Sequence, residues 1–207
     1  MALDPSTLLT IITVGISIFA FQDRRLLSKL ILSPSAVVYD KQWYRVITHA
    51  FIHADWMHLL FNMLALWSFG NVVVIYFGYI SDNPTRSFYA MYFIAIIISS
   101  IPDLVKQRNN PGFLSLGASG AVSAVVFSAI FFDPWNTILI FFIPCPGILF
   151  GVVYLLYSSY MAKKGGGNIN HHAHLYGSAF GFIFPLLLDP GAIQIFIEQL
   201  LHPRFFM

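Results

Sequence analysis

The sequence predicts an all-α membrane protein, a single domain built as a bundle of six transmembrane helices. Three observations carry this expectation. Of 207 residues, 57% are hydrophobic and only 10% charged, whereas a soluble domain carries about 25% charged residues. Apolar runs of bilayer-spanning length recur along the chain, each stopped by Asp, Pro, Asn or a basic pair. Small residues cluster in two of these runs at the spacing that lets helices pack backbone to backbone.

The runs are read in order. Residues 6–21 form a first, slightly short span, stopped by Gln22, Asp23, Arg24 and Arg25. Residues 23–55 are too polar to span, yet hold Trp43, Tyr44, Phe51 and Ile52. Aromatic and amphipathic residues favour the interface, so this stretch reads as a partly helical loop lying there. Residues 56–79 form the second span and residues 87–101 the third, which Pro102 and Asp103 close. The fourth covers 116–132 and stops at Asp133 and Pro134. Residues 136–150 are broken by Pro144 and Pro146, so their first part reads as interfacial or re-entrant. The fifth span runs from 147 to 161. A flexible, glycine-rich loop at 163–170 precedes the sixth span, 172–188, and an amphipathic tail follows at 193–201. Both ends of the bundle then lie on one side.

Composition also excludes. The net charge is +2 and the basic residues are scattered, so no nucleic-acid partner is expected. The single cysteine, Cys145, rules out an internal disulfide. No Lys or Arg precedes the first apolar run and no small-residue cleavage site follows it, which argues against a cleaved leader. Lipid is the expected surrounding.

Polar residues inside spans are expensive and by default mark function. Ser119 stands between small residues, in Gly117-Ala118-Ser119-Gly120, at the head of the fourth span. Such a run is by itself a packing face whose serine bonds back to its own helix. At a helix N-terminus, however, free N–H groups stabilise developing negative charge, which suits a nucleophile. His58 and Asn62 are four apart and share a face of the second span. His174 opens the sixth span, with Gly177 and Gly181 following at small-xxx-small spacing. These glycines would let that span lie against Gly117, Gly120, Ala121 and Ala124, and so bring His174 towards Ser119. A neutral imidazole there takes the serine proton and returns it to a leaving amine. His58, the Asn62 amide and the Ser119 N–H are candidate oxyanion donors. With no carboxylate expected inside a span, a Ser–His dyad is the catalytic arrangement left.

Four motifs, in order, resemble the rhomboid family of intramembrane serine proteases. Gly117-Ala118-Ser119-Gly120 is similar to its Gly-x-Ser-Gly. Ala173-His174 with Gly177 and Gly181 is similar to its Ala-His-x-x-Gly-x-x-x-Gly, and His58 with Asn62 to its His-x-x-x-Asn. Trp43-Tyr44-Arg45 is similar to the Trp-Arg element of its first loop, with His49 and His53 following. The resemblance runs over about 42–188. It implies a six-helix bundle with cytoplasmic termini, and cofactor-free cleavage of transmembrane substrate helices near their extracytoplasmic end, after a small residue. Ser119 would be the nucleophile, His174 the base, and His58 and Asn62 the oxyanion site. Trp43 and Arg45 would belong to the interfacial loop. The fifth span and the 163–170 loop would form the mobile entrance, gated by three glycines. A compact bacterial protein of the cytoplasmic membrane is expected.

Two positions depart from the family pattern. An aromatic residue often stands four positions after the nucleophile, stacked on the catalytic histidine; here it is Ser123. The second span also lacks the frequent late Glu, 70–74 reading Gly-Asn-Val-Val-Val. Orientation is contested as well. Nine of the eleven Lys and Arg lie in the first, third and fifth loops, which the positive-inside rule would place in the cytoplasm, opposite to the family.

His49 and His53, or His171, His172 and His174, have metal-compatible spacing, but without His-Glu-x-x-His no metal is expected. A catalytically silent relative that binds or chaperones membrane helices would share the fold but ordinarily lacks the serine or the histidine. A small transporter or channel would explain intramembrane histidines but not a glycine-flanked serine.

Overall fold

A computed structural model describes residues 3–140, 143–165 and 169–203. The long helices headed by Pro5, Trp56, Pro84 and His171 begin where short polar side chains cap them. Helix α1, Pro5–Gln22, is capped by Asp4, whose carboxylate accepts the Thr7 N–H at 2.9 Å. The interfacial stretch folds as three short helices, α2 (Arg24–Leu30), α3 (Pro34–Tyr39) and α4 (Arg45–Thr48), and a 3-10 turn, His49–Phe51. Asp55 caps α5, Trp56–Phe77, by accepting the His58 N–H at 2.8 Å. Asn83 caps α6, Pro84–Lys106, in the same way through the Arg86 N–H at 3.0 Å.

Helix α6 overruns its expected end. Pro102 sits inside it without breaking it, so Asp103 lies within a helix and is buried. The expectation that no span contains a carboxylate is therefore wrong. The Asp103 carboxylate accepts a bond from the Asn170 amide, which provides a polar partner for it inside the bundle.

Helix α7, Ser119–Phe132, is the centre of the bundle, and every residue after Ser119 is buried. With 14 residues it is about 21 Å long, shorter than a bilayer core of about 30 Å. Its neighbours cover it on all sides, so apolar residues fill its whole circumference. Three helices, α1, α5 and α6, are long and apolar enough to cross a membrane. A fourth span follows if α9 (His171–Leu188) and α10 (Ala192–Leu201), bent by 120°, count as one. By length and composition the described residues thus supply three or four spans, fewer than six. The chain is an integral membrane protein.

The segment expected to be interfacial or re-entrant is a hairpin: β1, Thr137–Ile140, pairs antiparallel with β2, Ile143–Pro146. Prolines 144 and 146 fit because a two-stranded ribbon has only edges. Helix α8, Gly147–Lys164, absorbs Lys163 and Lys164 into its last turn, where cations suit the helix C-terminus. The expected loop at 163–170 is shorter for that reason, and its residues 166–168 lie outside the described ones. The core joins α5, α6, α7 and α9 through Leu66, Phe77, Phe88, Ala124, Phe131 and Phe184.

Candidate active site

The α7–α9 seam is built from glycine. A methyl on Gly177 would fall onto the Gly120 carbonyl, and one on Gly181 onto the Ala124 backbone. Gly120 is closed on its other flank by Ser99 of α6 and faces the Ala173 carbonyl. Ser119 and His174 therefore stand on the first turns of two helices in backbone contact, both half-buried. No hydrogen bond joins their side chains among the described residues.

Ser119 is the first residue of α7. The residue before it, Ala118, has no side chain able to cap the helix, so helix geometry leaves the N–H groups of Ser119, Gly120 and Ala121 without intrahelical acceptors. Gly117 adopts φ +109°, which L side chains rarely reach. A Cβ there would also lie 2.6 Å from Cε1 and 2.8 Å from Nε2 of His58. The imidazole of α5 is thus laid against the backbone two residues before the serine. The Ala54 N–H approaches its Nδ1 at 3.5 Å, leaving Nε2 to carry the ring proton and face Gly117. Asn62 is placed differently from a free oxyanion donor. It is buried, and its amide donates to the His58 carbonyl of its own helix at 2.9 Å, with one N–H left over.

The loop before Ser119 is stitched to the interfacial stretch. Leu32 and Ser115 exchange backbone bonds at 3.0 Å, and the Gly117 N–H donates to the His49 carbonyl at 2.9 Å. His53 is fully buried between α1 and this loop. Ser17 donates to the Phe51 carbonyl at 3.0 Å, so it accepts from His53 Nδ1 at 2.9 Å. That tautomer leaves Nε2 facing the Ala118 N–H at 3.5 Å. His49 Nδ1 donates to the Arg45 carbonyl at 2.9 Å. Burial lowers the pKa of His49 to about 4 and that of His53 to about 3, so both are neutral. Both histidines thus bond backbone, and each meets a serine, Ser17 for His53 and, at 3.5 Å, Ser100 of α6 for His49.

Arg45 binds the Ser28 and Ile31 carbonyls at 2.8 and 2.7 Å and Gln42 at 2.6 Å, with its guanidinium over the Tyr44 ring. Its charge is spent on closing the interfacial loop. Trp43 is 56% exposed and makes no comparable tie.

Tyr154 and Asn170 join the site only in the tertiary structure. Tyr154 of α8 stacks on His174, with ring centroids 6.0 Å apart and planes at 18°. Its hydroxyl bonds Ser123 at 2.8 Å, which ties the ring to α7. Asn170 accepts the Ala173 N–H at 3.1 Å and donates to Asp103 and Ser115, which anchors the first turn of α9. An Asn directly before an apolar run is a capping signal; nothing local in the sequence marks Tyr154.

Comparison with known proteins agrees with the fold. The family model "Rhomboid domain" matches residues 40–190. The chain is 31% identical over 153 residues to RHOMBOID-like protein 12, mitochondrial, of Arabidopsis thaliana, covering 68% of this chain and 45% of that protein. It is 32% identical over 171 residues to Rhomboid protein 1, mitochondrial, of Saccharomyces cerevisiae, covering 77% and 45%. It is 33% identical over 88 residues to Rhomboid protease GluP of Bacillus subtilis, covering 42% and 15%. The matched part is thus less than half the length of these relatives. Because two of them are mitochondrial, the expectation of a bacterial cytoplasmic membrane gains no support from the comparison. With its model matched over most of the sequence, from the interfacial loop to the end of α9, the chain belongs to the rhomboid family.

Proposed function

We propose that the chain is an intramembrane serine endopeptidase that cleaves transmembrane substrate helices with Ser119 as nucleophile and His174 as base. The seating of Gly177 on the Gly120 carbonyl carries this reading, because it brings the two first turns together. The absence of a bond between the two side chains is compatible with it, since catalytic hydrogen bonds commonly tighten only with substrate.

Ser119 Oγ attacks the scissile carbonyl carbon as its proton passes to His174. The carbonyl π pair moves onto oxygen. That oxyanion is met by His58 Nε2–H and by the free N–H groups at the head of α7, in a setting where such donors count for more than in water. Collapse expels the amine, which takes the proton from the imidazolium. Water, activated by the same imidazole, then releases the acyl group. No step calls for a cofactor. In this reading α1, α5, α6, α7, α8 and α9 are the six membrane helices of one domain. The ends of the bundle share one side, and the site opens to the other, beside α8.

The test is cleavage of a single-span substrate by purified protein in lipid, with Ser119→Ala and His174→Ala alongside. Cleavage that both variants abolish supports the dyad. Folded wild type that neither cleaves nor takes a fluorophosphonate on Ser119 refutes it and favours a helix-binding role.

A further inference from the structure

The geometry points to Tyr154 as the residue that orients His174, so that α8 supplies a positioning group for the site. This rests on the protease reading above.

A tyrosine on a bundle helix ordinarily fills space or meets lipid. Tyr154 is constrained on three sides instead. Its ring lies nearly parallel to His174, at 18°. Phe127 of α7 and Phe150 of α8 pack against it, with centroids at 5.7 and 5.5 Å. Its hydroxyl is fixed at 2.8 Å to Ser123, one turn beyond Ser119 on α7. One side chain therefore ties the helix of the serine, the helix of the histidine and its own.

The stack is chemically apt. A ring laid on the face of an imidazole restricts rotation about its χ2, while both nitrogens, at the edge, stay free for Ser119 and for substrate. His171 meets His174 edge-on at 5.9 Å, and Tyr157 in turn meets His171 edge-on at 5.6 Å. Tyr154 and Tyr157, three residues apart on α8, thus meet His174 and His171, three apart on α9.

The experiment compares kcat and KM of Tyr154→Leu, Tyr154→Phe and Ser123→Ala in lipid, together with the His174 ring-proton shifts of histidine-labelled protein. Tyr154→Leu is expected to lower kcat about tenfold with little change in KM, and to remove the ring-current shift of His174. Tyr154→Phe and Ser123→Ala both keep the ring and remove its hydroxyl anchor, so both fall between wild type and Tyr154→Leu. Equal kcat for wild type and Tyr154→Leu, or an unmoved His174 resonance, overturns the inference while leaving the protease reading intact. A wild type without cleavage overturns both. Should Tyr154→Leu lose its thermal transition, the decision passes to Ser123→Ala: wild-type kcat and ring shifts there overturn the inference.

Discussion

Gly177→Ala tests the seam on which the site is built. The added methyl would lie 2.8 Å from the Gly120 carbonyl carbon and 3.1 Å from its Cα, with the oxygen closer still. Ordinary contact begins at 3.4 Å, so clearing the carbonyl carbon alone takes about 0.6 Å and clearing the oxygen more than about 1 Å, and backbone cannot step aside as a flexible side chain would. Overpacking of this kind costs about 1–3 kcal/mol, here at the upper end. The gain in helix propensity from Gly to Ala returns about 1 kcal/mol. A net loss of about 2 kcal/mol lowers the midpoint of thermal unfolding by about 4–8 °C in a chain of this size. Since displacement by about 1 Å costs on the order of a hundredfold in rate, cleavage should fall on the order of a hundredfold. Gly15→Ala is the control, because nothing lies within 4 Å of its missing Cβ; it should be neutral or slightly stabilising. Differential scanning fluorimetry and cleavage of a single-span substrate read both effects. Gly177→Ala protein with wild-type stability and rate would refute the close-packed seam.

Other outcomes follow from the same contacts. Because burial holds His49 and His53 far below the ordinary histidine value of 6.5, the unfolded chain binds more protons below that pH. Stability is therefore full above pH 6.5 and falls as the pH drops towards 4, by about 1.4 kcal/mol per unit per histidine; a melting temperature constant from pH 7 to 5 would contradict this. Asn170→Ala removes the cap of α9 and leaves buried Asp103 without its amide partner, at a cost of about 1–3 kcal/mol. Faster hydrogen exchange of the amides of residues 171–174 should report it, and unchanged protection would count against an anchoring role. Gly117→Ala forces a methyl at φ +109° onto the His58 ring, at a cost of about 1–3 kcal/mol in backbone strain alone. Cleavage should fall while Ser119 keeps its place, so retention of the wild-type rate would remove His58 from the oxyanion assignment.

Much of the protein is legible in its sequence because the signals are local. Apolar runs bounded by Asp4, Asp55 and Asn83 mark α1, α5 and α6, since caps act within one turn. Glycines at 177 and 181 announce a close helix contact through the period of a single helix. The same logic explains the misreadings. Pro102 looks like a stop, but the burial of Asp103 beside Asn170, 67 positions on, carries α6 past it. Pro144 and Pro146 look like breaks in a membrane segment, whereas pairing with Leu139 and Thr137 makes them strand residues. Ser17 holding His53, and Tyr154 flattened on His174, join residues 36 and 20 positions apart. No periodicity encodes such pairs. The sequence determined which residues are apolar enough to sit in a membrane and, within about three residues, where the long helices start. Only the packing of α8 and α9 around α7 decided what the polar residues among them touch, because burial forces each to find a partner wherever the fold brings one.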